Sequence, residues 1–266
     1  MPTVQVGSHT AYYDDLGRGH PLLLLTGLGA SRLGWWKQID PFAAQFRVIN
    51  LDNRDGGDSA LGTGPYTIAD MAEDTAGVIQ ALKLGRTHVV GISMGGMIGQ
   101  ELVLRHPDLV DKLVLVSTTA GGPSNVPAKP EIAALLMRGA QEDLATRVRN
   151  TYTAIAGPGY MAAHPQDLDH IVQNGLAKPM SLESYMRQLG ACMIHTNNGT
   201  ADRLQQVSAP TLVLHGDADP LIPYPNGQYL AAHIPGARLV TYNGVGHLPI
   251  IEAAEKFNRE VMEFLQ

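Results

Sequence analysis

The chain has 266 residues, 44% of them hydrophobic and 17% charged, with a formal net charge of -6 and one cysteine. That length and composition fit one large α/β domain, or a domain with an insertion, with enough apolar residues to bury a sizeable core. The acidic balance argues against nucleic acid or an anionic membrane as partner, and the lone Cys192 excludes an internal disulfide and cysteine-rich metal sites.

Residues 3–6 and 10–14 read as two short strands of an opening hairpin around Gly7 and Ser8. No basic segment followed by an apolar run opens the sequence, and the longest apolar runs, such as residues 22–25, are far too short to cross a bilayer. A cytoplasmic location is therefore expected. Residues 21–26 form an apolar strand of the kind a buried parallel sheet uses. The strand runs into Gly27-Leu28-Gly29-Ala30, where Arg32 stands at the third glycine position of a dinucleotide loop. A loop that brings a backbone N–H close to a reacting group fits better. Residues 35–46 read as a helix and 47–51 as the next strand. The polar loop at 52–59 carries Asp52, Arg54, Asp55, Asp58 and Ser59, which are expected to pair with one another and with loop backbone rather than to catalyse. Thr67, with Asp70 three residues on, caps an amphipathic helix over 68–84.

Residues 87–91 are a short β-branched strand, and Gly91-Ile92-Ser93-Met94-Gly95 matches G-x-S-x-G, the nucleophile elbow. A turn that tight leaves no room for side chains at Gly91 or Gly95. It holds the serine in a strained conformation, its hydroxyl exposed at the positive end of the following helix. The bland alternative is a glycine-rich turn with a harmless serine. Context favours the nucleophile, because Met94, Met97, Ile98 and Leu102 recur at helical spacing after it. Glu101 and Arg105 form an i,i+4 pair, and His106-Pro107 stops the helix. Residues 113–116 are another apolar strand.

From 122 to 206 the buried-strand pattern disappears. Pro123, Pro127 and Pro130 mark an exit from the core, and helices are expected near 131–155, 166–175 and 182–195. The expected organisation is a core of residues 1–121 and 207–266 with a helical cap, 122–206, inserted in it. Met137, Met161, Met180, Met186 and Met193 in the cap read more readily as helix packing than as ligand contacts. The sheet pattern resumes at 210–215, followed by Gly216-Asp217-Ala218-Asp219, a helix near 224–233 and a strand at 237–242. A loop holding Gly246-His247 and a closing amphipathic helix complete the chain. Strands alternating with helices make a mostly parallel sheet covered on both faces.

A serine needs a base in reach, and the base needs an orienting group. Of ten histidines, His247 sits in a glycine-flanked loop just past the last strand. Reacting groups gather at the carboxyl ends of parallel strands, and Ser93, Asp219 and His247 each follow one. On these residues the chain resembles the α/β-hydrolase fold family, of the lidded serine esterase or lactonase type. The family's D-x-R-G-x-G-x-S loop is matched by Asp52, Arg54, Gly57 and Ser59, with Asp55 where glycine is usual, and its H-G pair by Thr26-Gly27. Residues 94–100 and 116–120 are similar to enol-lactone hydrolases.

The resemblance implies that Ser93 attacks an acyl carbon, His247 takes its proton and Asp219 orients the imidazole, with Asp217 the rival acid. It also implies that the N–H groups of Leu28 and Met94 form the oxyanion hole. No cofactor and no metal are implied, and the partner is a small ester or lactone. Serine at the elbow argues against epoxide hydrolases and haloalkane dehalogenases, and no H-x-H-x-D-H run points to a zinc lactonase. Carboxylic ester hydrolysis comes first and lactone hydrolysis second. Carbon–carbon bond hydrolases and perhydrolases share the triad, and a ligand receptor on the same fold is the non-enzymatic alternative.

Overall fold

Leu22, Leu23, Leu24 and Leu25 are fully buried because the strand that carries them, β3 (Pro21–Leu25), is covered on both faces. Leu23 and Leu25 join one core with Val89, Leu113 and Leu115, while Leu22 and Leu24 join the other with Val90, Val114 and Val116. The two-residue period of a strand thus splits each apolar run between two cores. The computed structural model describes residues 2–7, 9–137 and 142–266. The strands are β1 (Thr3–Val6), β2 (His9–Gly17), β3, β4 (Arg47–Leu51), β5 (Thr87–Ile92), β6 (Val110–Val116), β7 (Thr211–Gly216) and β8 (Arg238–Tyr242). They make one eight-stranded sheet in the order β1-β2-β4-β3-β5-β6-β7-β8. Only β2 pairs antiparallel with its neighbours; from β4 to β8 every pairing is parallel.

The helices are α1 (Ile39–Ala43), α2 (Ile68–Ala81), α3 (Met94–Arg105), α4 (Pro130–Met137), α5 (Leu144–Ile155), α6 (Tyr160–Ala163), α7 (Pro165–Ala177), α8 (Leu182–Asn198), α9 (Pro225–His233), α10 (Pro249–Glu252) and α11 (Ala254–Leu265). Helix α2 opens with a reciprocal capping box between Thr67 and Asp70. Helix α3 has the bounds its spacing gives, with Arg105 Nε donating to Glu101 at 2.9 Å. Helices α4 to α8 all lie between β6 and β7. No helix of the described residues is long and apolar enough to cross a membrane.

Three local expectations need correction. The helix expected over 35–46 shrinks to α1 after a 3-10 turn at Arg32–Trp35. Pro41 sits in the first turn of α1, where it has no N–H to give to the residue four back, so the α-helix does not extend back from it as a continuous run. The helical stretch expected over 131–155 is carried by α4 and α5, with residues 138–141 outside the described set. The loop at 52–59 pairs mostly outward: Asp52 and Asp58 with Arg32, Arg54 with Asp74, Asp58 with Lys178 and Asp55 with Arg187. Within the loop, Ser59 Oγ donates to the Asp52 carbonyl and the Asp58 N–H to the Asp52 carboxylate.

Candidate active site

The turn from β5 into α3 places Ser93 at φ 55° and ψ -118°, a conformation that costs a non-glycine residue energy. Its surroundings hold it there. The Ser93 N–H donates to the Val116 carbonyl at 2.9 Å, and its own carbonyl accepts from Thr118 Oγ1 at 2.8 Å and from Gly96 N–H at 2.9 Å. A Cβ on Gly91 would lie 2.2 Å from the Gly95 carbonyl oxygen, and one on Gly95 would lie 2.2 Å from that of Leu25. Both glycines are therefore required by close backbone approach.

The loop after β3 comes up beside the serine. A Cβ on Gly27 would sit 3.3 Å from Ser93 Cβ and 3.8 Å from its Oγ, so the loop that leads into Leu28 packs against the serine. Met94 is the first residue of α3, where N–H groups have no acceptor one turn back. Among the described residues, no loop or cap carbonyl takes the N–H of Leu28 or of Met94. The next N–H, that of Gly29, donates to Gln188 Oε1 on α8 at 3.0 Å, and Gln188 Nε2 donates to the Arg54 carbonyl at 2.9 Å. A fully buried glutamine from α8 thus stitches this loop to the 52–59 loop.

Asp219, in the loop after β7, is completely used. Oδ1 accepts the N–H groups of Leu221 and Ile222, both at 2.9 Å, and Oδ2 lies 2.8 Å from His247 Nδ1. Burial pulls its pKa up, but the adjacent His247 and the nearby His215 ring, 3.5 Å from Oδ2, outweigh that and hold it at about 2. Asp217 points elsewhere: its Oδ1 accepts the Gly244 N–H at 2.7 Å, at the surface. The loop carrying His247 is fixed by Glu252, whose carboxylate accepts from the N–H groups of Gly246, Leu248 and Gly157. The His247 N–H donates to the Ile155 carbonyl, at the end of α5, at 2.8 Å.

Ser93 and His247 open onto the same cavity, of about 550 Å³, and no hydrogen bond joins them in this structure. Catalytic hydrogen bonds are often long before substrate binds. The walls include Leu28, Trp35, Ile92 and Met97 from the sheet side and Val148, Tyr185, Leu189 and Met193 from the helices between β6 and β7. Met180 and Met193 line this space and Met161 packs in the core, while Met137 and Met186 are exposed. Cys192 also lines the cavity, and burial pushes its thiol up to about 12, so it stays protonated. Gln188 as a support is not legible locally, since it acts on Gly29, 159 positions away, and the Glu252 bond to Gly157 spans 95. Asp55, the departure from the family loop, was the one visible clue.

A parallel sheet covered on both faces, with a serine elbow and a histidine–carboxylate pair at its carboxyl rim, defines a class of hydrolases. The chain belongs to the alpha/beta hydrolase fold family, whose model matches residues 20–158; a second model, for a TAP-like protein, matches residues 179–266. Among relatives, the 2-hydroxy-6-oxononadienedioate/2-hydroxy-6-oxononatrienedioate hydrolase of Burkholderia vietnamiensis is 33% identical over 264 residues, covering 96% of this chain and 90% of its own. Among solved structures, the enol-lactonase from Burkholderia xenovorans superposes with a TM-score of 0.87 at 27% identity, over 99% of each chain. An N-acyl homoserine lactone degrading enzyme superposes with a TM-score of 0.82 at 30% identity, over 99% of this chain and 100% of its own.

Proposed function

We propose that this hydrolase cleaves carboxylic esters of small to medium acyl substrates through an acyl-enzyme on Ser93. The observation that carries the proposal is the His247 Nδ1–Asp219 Oδ2 contact of 2.8 Å beside a cavity that also holds the strained Ser93. In this mechanism His247 Nε2 takes the Ser93 proton as Oγ attacks the acyl carbon. Asp219 holds the imidazole with its proton on Nδ1 and stabilises the imidazolium. The Leu28 and Met94 N–H groups take the oxyanion, each worth about 10²–10³ in turnover. His247 then protonates the leaving alcohol, and water attacks the acyl-enzyme by the same route in reverse. Helices α4 to α8 act as a cap, closing an apolar chamber over the acyl chain.

A second reading is lactone hydrolysis, favoured by the two lactone-cleaving neighbours that match nearly the whole chain. Hydrolysis of p-nitrophenyl butyrate tests the mechanism: wild type turns over, and Ser93→Ala falls to background. Equal rates in the two would remove the serine mechanism and leave a ligand receptor. Matched linear esters and lactones separate the two readings, with a preference for lactones deciding for the second.

A further inference from the structure

At the opposite rim of the sheet, three side chains meet that the catalytic site does not use. His20 precedes β3, His88 is the second residue of β5 and Asp111 is the second residue of β6. These strands are neighbours in the sheet, so their amino ends bring the three groups together. His20 Nε2 lies 3.3 Å from Asp111 Oδ2, and His88 Nδ1 lies 3.5 Å from the same oxygen. All three atoms lie within 4.8 Å of one another.

His88 is 3% exposed, and its Nδ1 has no hydrogen-bond partner. That nitrogen faces Asp111 Oδ2 at 3.5 Å without making a hydrogen bond, so a buried polar atom points unsatisfied into the cluster. An ion held between the ring and the carboxylate would satisfy it.

We propose that His20, His88 and Asp111 bind one Zn²⁺, with solvent completing a tetrahedron. Zinc bonds of 2.0–2.1 Å set tetrahedral ligand–ligand edges of about 3.3 Å, and the two contacts to Asp111 Oδ2 already have that length. The remaining edge, His20 to His88, closes by movement of His20, whose side chain is the exposed member. Arg86 Nε is 3.4 Å from the other oxygen of the same carboxylate, Asp111 Oδ1, which leaves Oδ2 to the cluster, and Lys112 Nζ donates to the Phe264 carbonyl at 2.9 Å. The ion pins the amino ends of three adjacent strands. It lies at the far end of β5 from Ser93, about 16 Å of strand away, so it serves stability rather than turnover.

The test is calorimetric titration of chelator-treated, dialysed protein with ZnCl₂, with thermal melts in parallel. Wild type is expected to take up one Zn²⁺ per chain and to melt at higher temperature with the metal. His20→Ala and Asp111→Asn are each expected to weaken binding at least about tenfold and to lose the melting shift, while hydrolysing p-nitrophenyl butyrate as wild type does. Both positions are partly exposed, and the activity shows that each variant is folded. No uptake by wild type, uptake unchanged in both variants, or equal binding of Mg²⁺ would overturn the proposal.

Discussion

Asp219 divides its two oxygens between the backbone and His247. Two backbone N–H groups hold Oδ1, which leaves Oδ2 to fix the imidazole. Its pKa is held well below the ordinary aspartate value, at about 2. A depressed carboxylate contributes stability that is complete above the unfolded value and is lost as pH falls through the folded one. Asp219 therefore stays charged, and its contribution stays intact, throughout the neutral range. Asp219→Asn keeps an acceptor for the Leu221 and Ile222 N–H groups but presents an N–H to His247 Nδ1. That forces the wrong tautomer and is expected to lower kcat about 10⁴-fold with KM little changed. Steady-state hydrolysis of p-nitrophenyl butyrate measures this, and a loss under tenfold would take Asp219 out of its assigned role.

Helix α8 is anchored by a residue where the family loop has glycine. Asp55 sits at φ 68° with its side chain fully buried. Its carboxylate receives Arg187 Nη2 at 2.6 Å and Arg187 Nε at 2.9 Å, with Ser184 Oγ, Tyr66 Oη and Gly62 N–H completing the set. Asp55→Gly would ease the backbone yet leave Arg187 with Glu183, an exposed acid, and the neutral Ser184 Oγ as partners. Breaking one side of a buried pair costs about 3 kcal/mol or more, so the variant is expected to be less stable in urea unfolding. Stability equal to or above wild type would contradict the anchoring role. Local rules made α2 and α3 legible, because capping, apolar spacing and a stop at His106-Pro107 all lie within a few residues of each other. Helix α1 is shorter than the 35–46 expectation, and Pro41 lies inside it. The Asp55–Arg187 pair was not legible as such, since its partners are 132 positions apart and no local pattern joins them.

At the scale of the whole molecule, polar groups collect at both rims of the sheet, Ser93, Asp219 and His247 at the carboxyl rim and His20, His88 and Asp111 at the amino rim. The positions of Ser93, Asp219 and His247 were readable, because each follows the carboxyl end of a strand that can be recognised singly. The groups that hold them were not. Glu252 fastens the His247 loop and the end of the α5 segment together, and Gln188 ties α8 to the loop carrying Leu28. Both depend on packing that brings distant segments into register. The His20, His88 and Asp111 cluster was hidden for the same reason, as the amino ends of three strands meet only in the folded sheet.

The most direct measurement is covalent labelling with a p-nitrophenyl alkylphosphonate, read by intact mass and peptide mapping. One phosphonyl group per chain is expected on the peptide containing Ser93, absent from Ser93→Ala and formed far more slowly in His247→Gln. Labelling at another residue, or equal labelling of wild type and Ser93→Ala, would contradict the acyl-enzyme mechanism.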